Sequence, residues 1–288
     1  MRNFIIHTDS ACDMELETLK SWGVKSQSLS LIFDGTAEAL LNDNIDPVWF
    51  YGKMREGSTA KTSAINVETF KAAFREEMEK ENDILYIGFS SGLSTTYQSA
   101  CIAAAQLKEE YPEREILTVD SLAASAGFGM LVYLAVQKKA EGATLQETAA
   151  YVQEMVPHMS HWFTVDDLVY LKRGGRISPA VAFVGGLIGI RPVLHVDDEG
   201  HLINRFKVKG RKASIKALAE KYGEYAQNKG EGPVFICHAD CRQDADQLAA
   251  ILKEEYGANV DITVFTGPVI GAHSGPGTLA LFFIGTQK

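Results

Sequence analysis

Short apolar runs that each end in a small polar group and then give way to a helix constrain this chain more than any other feature. Phe4-Ile5-Ile6-His7 leads into Thr8-Asp9-Ser10, Ile84-Leu85-Tyr86-Ile87 into Ser90-Ser91, and Ile116-Leu117-Thr118-Val119 into Asp120-Ser121. Helical spacing follows them: Tyr97, Cys101, Ala104 and Ala105 recur on one face, as do Val67, Phe70, Phe74 and Met78 after Thr62-Ser63. Leu145, Ala149, Val152 and Val156 follow the capping box Thr144-x-x-Glu147. The run Leu122 to Gln137 is apolar nearly all round, which predicts a buried helix. Strands alternating with helices imply right-handed crossovers and a parallel sheet whose strand C-termini open on one edge. On that edge Thr8, Ser10, Thr62, Ser63, Ser90, Ser91 and Ser121 are expected to gather in one crevice, where such sheets bind ligands.

After about Ser160 the pattern changes. His161 to Val165 predicts a strand, and Val193 to Val196, the turn Asp197-Asp198-Glu199-Gly200 and Leu202 to Val208 predict an antiparallel hairpin. Helical sets at Ile215, Leu218, Tyr222 and at Ala245, Leu248, Leu252 alternate with strands near Val234 and Val260. A chain of 288 residues exceeds what one core usually organises. The expected fold class is therefore α/β: an N-terminal parallel-sheet α/β domain over residues 1–160 and a smaller α+β domain over 161–288, with the final segment free to return to the first.

Charge and cysteine usage exclude several function classes. A formal net charge of −9 opposes binding to nucleic acid, which requires a basic face. Met1-Arg2-Asn3 runs straight into Phe4-Ile5-Ile6, too short for a signal peptide, and no uncharged run reaches spanning length, so no stable membrane insertion and a cytoplasmic location are expected. The 4 cysteines imply no disulfide framework. Cys237-His238-Ala239-Asp240-Cys241 contains zinc-type ligands, but it follows a buried strand pattern and lacks a second ligand pair, so neither metal nor cofactor is expected.

Serine, threonine and aspartate before a helix are most often caps. Doubled hydroxyls beside several helix N-termini also suit a carboxylate or phosphate. Leu171-Lys172-Arg173-Gly174-Gly175-Arg176-Ile177-Ser178 sets three cations around a glycine pair that would end a helix; Lys172 reads as a dipole-offsetting cation, Arg173 and Arg176 as groups that meet an anion or a partner. The segment Val181 to Ile190 combines large apolar side chains with three glycines and can line an apolar slot. The glycine-rich stretch Gly271 to Gly277 reads as a loop whose one bulky polar residue is His273. Gly88-Phe89-Ser90-Ser91-Gly92 matches the G-x-S-x-G elbow of serine hydrolases, and Ser90, an acid and His273 occur in the right chain order, but no second oxyanion loop precedes it.

Together these segments resemble the DegV family of bacterial fatty-acid-binding proteins, which includes the acyl-binding subunits of fatty-acid kinase. The resemblance rests on Thr8-Asp9-Ser10, Thr62-Ser63, the run Ser90 to Ala100, Asp120-Ser121, Leu171 to Ile177, Gly210-Arg211-Lys212-Ala213 and His273-x-Gly275-Pro276-Gly277, in the family's order. It implies a fatty acid in a tunnel between the two domains, its carboxylate against Thr62, Ser63, Ser91 and Ser94 with His273 close by, and a separate kinase catalytic subunit as partner. Hydrophobicity and position alone nominate Phe183, Leu187 and Ile188 for the tail, whereas Arg173 and Arg176 are expected at the rim as a partner-docking or anion-contacting surface, because an arginine pair is seldom buried unpaired. Where the family usually has a Thr-Ser-Gln-Pro-Ser-type segment, this chain has Thr62-Ser63-Ala64-Ile65-Asn66. The leading expectation is a non-catalytic carrier of a long-chain fatty acid. The alternatives are a lipid ester or thioester hydrolase using Ser90 and a lipid-sensing regulatory module.

Overall fold

The computed structural model describes residues 2–177 and 189–288. Phe183, Leu187 and Ile188, with the rest of the apolar segment up to position 188, lie outside them.

The first half runs β1 (Phe4–Asp9), α1 (Leu16–Ser21), β2 (Val24–Gln27), β3 (Ser30–Phe33), β4 (Leu40–Leu41), α2 (Pro47–Arg55), β5 (Ala60–Ser63), α3 (Val67–Glu79), β6 (Asp83–Gly88), α4 (Thr96–Glu110), β7 (Ile116–Asp120), α5 (Ser125–Ala140) and α6 (Leu145–Met155). Four of these strands form a parallel sheet in the order β2-β1-β6-β7. All six residues of β6 are buried, as expected of a central parallel strand covered on both faces. Asn66 starts α3 by accepting the Thr69 N–H at 2.9 Å, and Phe70 and Phe74 lock that helix onto Tyr86 of β6 with ring centroids 5.1 and 5.9 Å apart. Both phenylalanines are fully buried, so truncating either would cost about 3–5 kcal/mol.

The second half runs β8 (Met159–Thr164), α7 (Val169–Arg173), β9 (Ile190–Val196), β10 (Leu202–Lys209), α8 (Arg211–Tyr225), β11 (Val234–His238), α9 (Arg242–Tyr256), β12 (Ile262–Phe265), α10 (Pro268–Ser274) and β13 (Leu279–Ile284). Its six strands form one mixed sheet in the order β10-β9-β8-β13-β11-β12, with β13 between β8 and β11. Side chains alternate across this sheet with period two. Trp162, Ile236, Leu281 and Phe283 face α8 and α9, whereas Phe163, Phe235, Cys237 and Phe282 join the core shared with the first half. Helix α5 lies between the two sheets, touching β1 and β6 on one side and β8, β11 and β13 on the other. That explains why its sequence is apolar nearly all round.

The hydroxyl pairs do not all meet at one edge of the parallel sheet. Thr62 and Ser63 belong to a separate antiparallel sheet, β4-β3-β5, and reach the site from its end. Thr8, Ser10, Ser90 and Ser121 are buried. Ser10 Oγ accepts the Leu29 N–H at 2.9 Å and Ser121 Oγ accepts that of Ala123 at 3.2 Å, so both brace the backbone. Propensity marks where a hydroxyl precedes a helix, not which way it faces.

Candidate functional site

A cavity of about 480 Å³ opens between the end of β5, the loop after β6, α10 and the inner face of the six-stranded sheet, a size ordinary for small-molecule sites. Thr62, Ser63, Ser91, Ser94 and His273 all line it. Ser63 and Ser91 are exposed, while Thr62, Ser94 and His273 are half-buried, so the hydroxyls grade from solvent inward. Beyond them the wall is largely apolar, with Leu93, Phe163, Val269, Ile270 and Phe282 among its residues.

His273 does not sit in a loop. It occupies the last turn of α10, a short helix that Pro268 starts at a position where its missing N–H costs nothing. Its Nε2 lies 2.8 Å from Thr62 Oγ1. Burial, helped by the charge of Arg176, lowers the imidazole pKa to about 4, so the ring is neutral at physiological pH. With Nε2 carrying the proton, the imidazole donates to Thr62 and leaves the threonine O–H free to donate into the cavity. Gly174 makes this placement possible: a side chain there would overlap Nδ1 of His273. The glycine pair after α7 therefore does more than end that helix.

Ser94 Oγ accepts the Thr96 N–H at 3.2 Å at the start of α4 and keeps its own proton for Thr96 Oγ1, 2.9 Å away, or for a ligand. The N-terminus of this 15-residue helix thus faces the hydroxyl cluster, and its dipole favours an anion. Ser91 is held by its N–H, which donates to Asp120 at 3.2 Å.

The two arginines separate. Arg173 is exposed, its guanidinium 5.6 Å from the Tyr170 ring. Arg176 lines the cavity instead. Its Nε donates to the Leu93 carbonyl at 3.1 Å and one terminal nitrogen to that of Gly174 at 2.5 Å, tying the serine loop to the end of α7. Desolvation lowers its pKa, and no carboxylate among the described residues forms an ion pair with it. Since the lining among the described residues contains no Asp or Glu, the field at the mouth favours an anion. Sequence reading grouped the arginines by adjacency, although the glycine turn between them sends one outward and the other in.

The elbow serine is not poised for attack. Ser90 is fully buried, its hydroxyl donates to the Gly200 carbonyl at 3.0 Å, and its Oγ accepts the Gly92 N–H at 3.2 Å. Among the described residues no imidazole is within hydrogen-bond reach of it, so the arrangement a serine nucleophile requires is not formed. Nor do the two late cysteines converge: Cys237 faces α5 and the cavity, while Cys241 meets Arg211 at 3.4 Å. Burial pushes the two thiols up to about 12 and about 11, respectively. Ser125, Thr266 and Cys237 also line the cavity and were not anticipated. A single serine inside the apolar run Leu122 to Gln137 was the one available signal.

The DegV family model, a family described as uncharacterised, matches residues 3–286. The chain belongs to the DegV family. A DegV domain-containing protein of Clostridium perfringens is 42% identical over 100% of this chain and 99% of its own length. A DegV family protein of Thermus thermophilus, whose structure was described for its fatty acid binding, superposes with a TM-score of 0.87 at 29% identity, covering 98% of this chain and 99% of that one. A Thermotoga maritima protein reported to reveal fatty acid binding function gives 0.85 at 29% identity, over 98% and 99% of the two chains. Fatty-acid binding by DegV relatives and the α/β architecture both agree with the expectations from sequence. Among the described residues, no helix is long and apolar enough to cross a membrane.

Proposed function

We propose that the protein is a cytoplasmic fatty-acid carrier that holds a long-chain acid in the cavity and presents its carboxylate to a separate kinase. The observation that carries this reading is the polarity gradient of one cavity, with hydroxyls, a helix N-terminus and Arg176 at the mouth and apolar side chains behind. A carboxylate fits the first set, through donors from Thr62, Ser63, Ser91 and Ser94 with His273 orienting Thr62. An alkyl tail fits the second. Each buried methylene contributes about 0.8 kcal/mol and a hydrogen bond to a charged group about 1.5–3 kcal/mol. The tail therefore sets affinity and the head sets orientation.

Exposure of Ser63 and Ser91 at the mouth supports delivery rather than sequestration, because an approaching active site can reach the carboxylate. In the transfer we infer, a carboxylate oxygen attacks the γ-phosphorus of ATP held by the kinase. The P–O bond to ADP breaks, and acyl phosphate and ADP form. Such reactions depend chiefly on positioning and electrostatics. The exposed Arg173 is suited to docking the partner, and Arg176 to fixing the mouth. No chemistry is assigned to this chain itself.

Native mass spectrometry of the purified protein, followed by solvent extraction, tests the carrier reading: one fatty acid per chain is expected. Thr62→Ala and Ser94→Ala should weaken binding without abolishing it. Wild-type affinity and unchanged preference for the free acid over its methyl ester in both variants would remove the carboxylate from this mouth.

A further inference from the structure

Apart from the hydroxyls around His273, the cavity lining carries a second group of polar atoms. Ser125 begins α5 with φ 54° and Asp13 precedes α1 with φ 55°, a region that non-glycine residues enter at a cost and often at functional sites. Their side chains meet, Ser125 Oγ standing 2.5 Å from Asp13 Oδ2. Ser125 Oγ is also 3.1 Å from Cys237 Sγ, which the Thr266 hydroxyl approaches at 3.2 Å. Ser125, Cys237 and Thr266 all line the cavity, and so does His161, which stands over Gly127 in the same first turn of α5.

Proton positions give these groups definite roles. Burial raises the Asp13 carboxyl to about 8, so at neutral pH it is protonated and donates to Ser125. The serine O–H then turns either to the Cys237 sulfur, a weak acceptor, or into the cavity, and the Thr266 O–H has the same choice. His161 Nδ1 lies 2.8 Å from the Met159 carbonyl, which can only accept, so Nδ1 bears the proton. Nε2 is left as a bare acceptor without a partner, and burial keeps the ring neutral. Nε2 packs against Gly127 and the Phe282 ring rather than opening into the cavity. Donors facing only sulfur are a costly arrangement, and a hydroxyl, which both donates and accepts, complements the serine and threonine groups.

The position along the ligand also follows. Thr266 lies two residues before α10 and His273 in its last turn, so at about 1.5 Å of rise per helical residue the two are on the order of 10 Å apart, and this wall meets the chain well beyond its carboxylate. We propose that Ser125, Thr266 and Cys237 form a subsite for a hydroxyl carried in the middle of the acyl chain, making mid-chain hydroxy fatty acids a ligand class of this protein. This rests on the carrier reading above.

The test compares oleate with ricinoleate, the same chain bearing one added mid-chain hydroxyl, by competition against a fluorescent fatty acid on the delipidated full-length protein. A wholly apolar wall would bind ricinoleate about 5- to 150-fold more weakly than oleate, since its hydroxyl would be buried unpaired. With the subsite, ricinoleate binds at least as tightly as oleate, and a β-hydroxy acid of the same length gains nothing. In Thr266→Val, which keeps the side-chain shape, the ricinoleate-to-oleate affinity ratio falls by about 2- to 12-fold. Ricinoleate binding 5-fold or more weaker than oleate in the wild type, or a ratio that Thr266→Val leaves unchanged, overturns the subsite alone. Failure to bind either acid overturns the carrier reading together with it.

Discussion

Replacing Gly174 by alanine isolates what the imidazole does for the head group. Gly174 has φ −71° and ψ −11°, an ordinary right-handed conformation, so alanine meets no backbone strain and by lowering unfolded-chain entropy would add about 0.4–1 kcal/mol to stability. Its methyl, however, would overlap His273 Nδ1 and stand 3.0 Å from Cε1, inside the 3.4 Å at which ordinary contact begins. The ring must shift by more than an ångström, which displaces Nε2 from its 2.8 Å contact with Thr62 Oγ1 and spoils that hydrogen bond. Loss of that bond is worth about 0.5–1.5 kcal/mol, or a 2- to 12-fold loss of oleate affinity. Production of acyl phosphate by the cognate kinase should fall further, because a carboxylate displaced by an ångström loses rate before it loses binding. Isothermal titration and a coupled ADP assay on Gly174→Ala, His273→Ala and the double variant form a cycle. In the His273→Ala background the glycine substitution should have no further effect. Full additivity of the two, or wild-type behaviour of Gly174→Ala, would refute the steric reasoning.

Three further outcomes follow from the same geometry. Asp9 and Asp13, raised by burial to about 6 and about 8, bind protons in the folded state that the unfolded chain releases. Their contribution is complete below about pH 4 and is lost as pH rises to 8; urea midpoints should fall over that window, and Asp13→Asn should flatten the upper part. Arg173→Glu, an exposed change, should leave oleate affinity within 2-fold and reduce kinase-dependent turnover; released lipid with intact kinase association would instead assign Arg173 to the cavity. A fluorophosphonate probe should leave Ser90 unlabelled, since its hydroxyl is buried on the Gly200 carbonyl, and stoichiometric labelling lost in Ser90→Ala would restore the hydrolase alternative.

Where the sequence was legible, one local cause sufficed. Central strand β6, the Asn66 cap of α3 and the Thr144–Glu147 capping box each follow from a few neighbouring residues. The helix α5 was legible for the same reason, because burial between two sheets leaves no face to make polar. What escaped was direction. Ser90 and Ser91 are adjacent and chemically alike, yet one is fully buried on a backbone carbonyl and the other lines the cavity mouth. Arg173 and Arg176 differ in the same way across a turn that Gly175 makes with φ 71°. Direction is set by contacts distant in sequence: the Gly200 carbonyl reaches Ser90 across 110 positions and Thr62 reaches His273 across 211. A local motif can therefore nominate hydroxyls for a site, but the turn of one sheet docking on the loop of the other decides which of them the ligand meets. The residues that allow that docking are themselves small. Gly92 lies against the backbone of Glu199 and Gly200, and Gly174 against His273, so the glycines of the serine loop and of the basic loop are as much part of the head-group site as the hydroxyls they bring together.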